Sequence, residues 1–138
     1  MKTIACGALL ISLSTAATAG TSQGYGQGGQ VRNYDPIVAA HNQSGELFRI
    51  QGHCQSACTL FLGVRNVCIE RGARLLFHAG HDRQRNISGW VTEHMMNAYN
   101  ARLRQYLTAG HYMETLAFHT ISGADMIQKF GYRECPRR

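Results

Sequence analysis

The chain reads as an α/β domain braced by disulfides, and three observations predict it. Short apolar runs of strand length alternate with stretches of helical periodicity. The run over residues 47–80, LFRIQGHCQSACTLFLGVRNVCIERGARLLFHAG, sets a strand, a tight turn, a buried helix and two more strands in close succession. Four cysteines, Cys54, Cys58, Cys68 and Cys135, lie beyond the N-terminal apolar stretch. An even number in an exported chain suits two disulfides, with three pairings open.

The 138 residues begin with Lys2, an apolar run over 4–13 and a small-x-small site at Ala17-Thr18-Ala19. This is the pattern of a secretory signal peptide over residues 1–19, cut before Gly20, and it predicts a secreted or periplasmic protein. The apolar run is too short to cross a bilayer, so no stable membrane insertion is expected. Residues 20–30, GTSQGYGQGGQ, have the composition of a flexible tail. The domain itself is expected over residues 31–138.

Within it, Tyr34, Ile37, Val38 and His41 fall at helical spacing, with Pro36 in the first turn and Ser44-Gly45 as the stop. Residues 46–51 form a strand, 52–55 a turn and 56–63 a buried helix. Strands follow over 66–70 and 74–78, with Arg71-Gly72 turning between them. A polar loop covers 80–89. Residues 90–107 read as one amphipathic helix with Trp90, Val91, Met95, Tyr99, Leu103, Tyr106 and Leu107 on its core face. A second helical piece is expected over 112–118. Ser122 caps a short helix over 124–129 that Gly131 ends, and 132–135 is a short strand or tail.

Without Lys2, the 14 Lys and Arg become 13 against 8 acidic residues. The arginines are scattered, with pairs at Arg83/Arg85, Arg102/Arg104 and Arg137/Arg138. No basic block interleaved with aromatics appears, so nucleic acid is not an expected partner.

Ser56 at a strand-to-helix turn and His78 at the end of the next strand are the residues that bear chemistry. A serine hydroxyl needs a base to become a nucleophile, and a histidine at a facing strand end can serve. The competing role for Ser56 is a helix cap, and for His78 a half-buried, hydrogen-bonded core histidine. His53, Cys54, Cys58 and His78 fit no common zinc spacing, and paired thiols are not ligands, so neither metal nor cofactor is expected.

These residues carry a resemblance. Gly52-x-Cys54-x-Ser56-Ala57-Cys58-Thr59 resembles the nucleophile turn of the ClpP/crotonase superfamily, and of the Clp protease proteolytic subunit within it. Leu75-Leu76-Phe77-His78 resembles the strand that carries that family's histidine. Gly28-Gly29 resembles its oxyanion-hole glycines, and residues 122–134 its C-terminal helix and ending. The resemblance implies a shortened ββα spiral fold; the four cysteines, foreign to the cytosolic Clp subunit, suit an exported relative braced by disulfides. The resemblance also implies Ser56 as nucleophile, His78 as base and Gly28 and Gly29 as oxyanion donors. Glu114 stands nearest the family's third triad position, with His119 and Asp125 as rivals.

The expected function is therefore an exported serine hydrolase acting on a peptide or protein. The alternative is a catalytically inactive binding module of the cell envelope. The family's ring assembly leaves a homo-oligomer open. Its ATP-driven unfoldase partner is not carried over, because an exported protein has no ATP supply.

Overall fold

A computed structural model describes residues 19–138; all of the expected signal peptide but Ala19 lies outside them. The architecture is mixed α/β. Its first sheet joins β1 (Gly20–Thr21), β2 (Phe48–Ile50) and β4 (Val67–Ile69), all parallel. Its second joins β3 (His53–Gln55), β5 (Arg74–Phe77) and β6 (His119–Ser122). There β3 and β5 are parallel and β6 is antiparallel to β5.

The order of strands explains the two sheets. After β2 the chain turns at Gly52, whose φ of 63° suits only glycine well. It then enters β3 in the other sheet, and the 3-10 helix Ser56–Gly63 follows. β4 and β5 repeat the step, and α2 (Gly89–Asn97) follows. Each strand–strand–helix unit thus gives its first strand to one sheet and its second to the other. The apolar 3-10 helix is enclosed, with Ala57 through Leu62 all buried. Phe61 packs on Phe48 at 4.4 Å between ring centroids and on Tyr34 at 5.4 Å.

α1 (Asp35–Ser44) holds Pro36 in its first turn and ends on Gly45 at φ 72°, as its sequence predicts. α4 (Gly123–Gln128) starts where Ser122 Oγ accepts from the Asp125 backbone N–H. Other expectations are corrected. Residues 53–55 are strand, not turn, because they pair with β5. The helix expected over 90–107 is two helices, α2 and α3 (Ala101–Ala109). Asn100 breaks it: its side chain caps Leu103 N–H and donates to the Phe130 carbonyl at 2.7 Å. Residues 112–118 hold no helix: 112–117 are turns and bends after His111, which sits at φ 57°.

The glycine-rich segment is not a loose tail. Ser22 Oγ donates to the Gln51 carbonyl and accepts from the Gln51 N–H. The Gly26 carbonyl accepts from Gln55 N–H at 2.9 Å. Tyr25 packs edge-on against Phe61 and Tyr34.

Of the three open pairings, the disulfides are Cys54–Cys58 and Cys68–Cys135. The second closes a loop of sequence separation 67 and ties the C-terminal tail to β4. Chain-entropy arguments assign such a loop about 4 kcal/mol and the short Cys54–Cys58 loop about 2 kcal/mol. Two disulfides are what an oxidising, extracytoplasmic compartment favours. No helix among the described residues is long and apolar enough to cross a membrane.

Candidate functional site

Ser56 and His78 leave adjacent parallel strands at the same end. Gln55 registers with Leu76, so the chain departs β3 at Ser56 beside the last residues of β5, and His78 follows directly. Carboxyl ends of parallel strands are where open α/β sheets place their ligand sites. Both side chains line one cavity of about 750 Å³.

Ser56 occupies φ 55°, a left-handed conformation that costs a residue with a Cβ about 1–2 kcal/mol. Two constraints hold it there. The Cys54–Cys58 disulfide spans it, two residues to either side. Gly28 presses on it from outside: a Cβ at Gly28 would sit 2.9 Å from the Gln55 carbonyl oxygen and 3.0 Å from Ser56 Cβ. The hydroxyl does not cap the helix. Gln55 is the N-cap residue, and no side-chain cap bond is made. The Thr59 hydroxyl, not that of Ser56, closes the first turn, donating to the Ser56 carbonyl at 2.7 Å.

The expected oxyanion donors are divided by the structure. Gly28 N–H donates to the Tyr25 carbonyl at 3.2 Å and is committed there. Gly29 lies at φ 147° and lines the cavity. Among the described residues, neither Gly29 N–H nor Ala57 N–H has an acceptor. Ala57 N lies 3.5 Å from the Cβ position at Gly28, on the same side of the turn. Ala57 was not legible as a donor, although it directly follows the candidate nucleophile.

His78 is 5% exposed, with the Phe118 ring edge-on at 4.9 Å and His81 at 5.7 Å. Its Nδ1 is sealed from solvent and has no hydrogen-bond partner among the described residues. His78 as a residue lines the cavity. Burial lowers the His78 pKa below the ordinary histidine value; His81 and Arg85 push the same way and the Ala79 backbone pushes against them. The shift favours the neutral ring, the form that can accept a proton. No hydrogen bond joins it to Ser56 among the described residues.

Glu114 does not orient His78. Its carboxylate pairs with His111 at 2.9 Å on the exposed surface. His119 stacks on Tyr112 and meets the Tyr106 hydroxyl, and Asp125 pairs with Lys129. None of the three is bonded to His78. His53 is not a lining residue but bonds to Gln55, which lines the cavity, as does His81. Both Cys54 and Cys58 are held as disulfide sulfurs, and no three His, Cys, Asp or Glu side chains converge among the described residues.

Several cavity residues lay outside the sequence expectation. Trp90, read as core, is 67% exposed and stacks on His94, which bonds to Asp35 at 2.9 Å. With Val91, Met95 and Leu116 it forms the apolar wall. Arg32, Arg83 and Arg85 stand at the rim. Their proximity was signalled by position, because Arg32 closely follows Gly28-Gly29 and the loop after His78 carries the other two. No family model, curated protein or solved structure matches the chain.

Proposed function

We propose that the protein is an exported serine hydrolase that cleaves peptide bonds, a shortened relative of the ClpP/crotonase superfamily. The observation that carries this reading is Ser56 itself. It is a non-glycine residue at φ 55°, spanned by a disulfide, with its hydroxyl free of any capping role in a cavity that also holds His78. Strain of this kind persists where surrounding structure enforces it, and it collects at active sites. In Cys54-Gln55-Ser56-Ala57-Cys58 the residues two before and two after the serine are cross-linked. In the strained nucleophile elbow of other hydrolases those flanking positions are glycines. The strand–strand–helix units that alternate between two sheets support the family reading.

In this mechanism Ser56 Oγ attacks the scissile carbonyl carbon and its proton passes to His78 Nε2. Gly29 and Ala57 N–H groups stabilise the oxyanion. Collapse breaks the C–N bond, and the departing amine takes the proton from His78. Water then gives a proton to His78 and attacks the acyl-serine. The acid product leaves and Ser56 regains its proton. The mechanism requires Ser56 Oγ and His78 Nε2 to come within hydrogen-bond reach, about 2.6–3.2 Å, during proton transfer.

The unpartnered Nδ1 of His78 favours a second reading, a binding module of the cell envelope that keeps the cavity without turnover. Hydrolysis of an N-acyl peptide amide by the mature, oxidised chain separates the two. The hydrolase reading expects turnover that Ser56→Ala abolishes. Equal turnover in the variant removes Ser56 as the nucleophile, and none in either protein supports the binding module.

A further inference from the structure

The rim and the wall of the cavity differ in chemistry, and the difference specifies a ligand. The wall is apolar, built from Val91, Met95, Leu116, Phe118 and the exposed Trp90 indole. The rim carries Arg32, Arg83 and Arg85. These arginines are exposed and make no ion pair or side-chain hydrogen bond among the described residues. Some surface guanidiniums are engaged, Arg71 with Glu134, Arg133 with Asn66 and Arg138 with Gln51. Among the described residues Arg74, Arg102, Arg104 and Arg137 are exposed and unpaired as well, so what sets Arg32, Arg83 and Arg85 apart is that all three line the cavity.

Asp82 is the one carboxylate among the lining residues. It is turned into its own loop, accepting from the Asn86 backbone N–H at 2.9 Å and its side-chain amide at 3.1 Å. The rim therefore presents three cations against one internally engaged anion. A guanidinium recognises a carboxylate with two parallel hydrogen bonds. Charges focused around a low-dielectric cleft draw in ligands of opposite sign.

We propose that the cavity takes acidic peptides, with an apolar side chain against the Trp90 wall and flanking Asp or Glu carboxylates on Arg32, Arg83 and Arg85. This deepens the hydrolase reading, and as a substrate preference it rests on that reading. As a binding preference it stands without it. A cavity of about 750 Å³ exceeds what one apolar side chain fills, and the three arginines come from two separate segments of chain. Both features suit an extended chain better than a small ester.

The test uses the mature, oxidised protein with Ser56→Ala, so that binding is read without turnover. Trp90 is the only tryptophan and lines the cavity, so its fluorescence reports occupancy. The probes are acetyl-Glu-Glu-Leu-Glu-amide and its isosteric partner acetyl-Gln-Gln-Leu-Gln-amide. The acidic peptide is expected to bind at least tenfold more tightly at low salt, with the advantage shrinking as NaCl screens the rim. In an Arg32→Gln/Arg83→Gln/Arg85→Gln variant the ratio of the two affinities falls about three- to tenfold or more. Equal binding of the two peptides, or a preference unmoved by salt and by the triple substitution, overturns the proposal. In the active protein, kcat/KM for the corresponding coumarylamides follows the same ratio. Preference in binding without turnover overturns the hydrolase reading alone, and turnover without preference overturns the acidic-peptide proposal alone.

Discussion

A methyl group on Gly28 would lie 3.0 Å from Ser56 Cβ and 2.9 Å from the Gln55 carbonyl oxygen. The glycine-rich segment is thus part of the site, packed against the turn that holds the serine. Gly28 also sits at φ 75°, where a side chain is strained whatever space it finds. Gly28→Ala is expected to cost about 1–3 kcal/mol and to slow modification of Ser56 by displacing the turn. Urea unfolding together with active-site labelling checks both effects.

Strain and capping predict opposite results at Ser56. A capping serine loses about 1 kcal/mol on change to alanine. Because the hydroxyl caps nothing, Ser56→Ala should stay within about 0.5 kcal/mol of the parent. Ser56→Gly relieves the left-handed strain and should match the parent or exceed it by up to about 1 kcal/mol. Tm and urea midpoints for the two variants decide the matter, and both variants should lose activity.

The two disulfides do different work. Replacing Cys68 and Cys135 by alanine opens the long loop and should cost about 4 kcal/mol, with the site chemistry retained at temperatures where the chain stays folded. Replacing Cys54 and Cys58 should cost about 2 kcal/mol. It should also reduce Ser56 reactivity disproportionately, because that bridge spans the strained residue. Denaturant curves measured beside labelling rates separate stability from site geometry.

On the hydrolase reading, His78 sets the pH dependence. A general base must be neutral, and burial lowers its pKa below 6.5. Activity should therefore rise with pH along a limb whose midpoint lies below 6.5, then reach a plateau. Stability follows the same group. Between the lowered folded value and the unfolded value near 6.5, the unfolded chain binds more protons, so stability falls as pH drops through that window. His78→Gln should remove this contribution, seen in urea midpoints measured across the window.

How much of this was legible from sequence depends on how local its causes are. The placement of Ser56 and His78 at neighbouring strand ends was legible because strand ends, turns and apolar runs are written locally. The caps at Gly45 and Ser122 were legible for the same reason. The glycine-rich segment read as loose because its order comes from distant partners, Gln51 for Ser22 and Gln55 for Gly26. The helix over 90–107 was read as continuous because its apolar spacing runs straight through Asn100. Only Phe130 and Tyr132, folded back from the C-terminus, make that residue a cap site rather than a helix interior. Cysteine pairing follows from which strands become neighbours, so spacing left it open. β6 was missed because HTIS is short, and it is strand only by pairing with β5. Glu114 illustrates the limit of alignment by position: its carboxylate is claimed by His111, three residues earlier.

The central claim is that His78 activates Ser56. Its most direct measurement is the rate of covalent labelling by a fluorophosphonate, with the adduct located by mass spectrometry, in the parent and in His78→Gln. The account predicts one adduct, on Ser56, formed at least a hundredfold more slowly in the variant, as expected on loss of a general base. No adduct on Ser56 in the correctly oxidised parent, or equal rates in the two proteins, would contradict it.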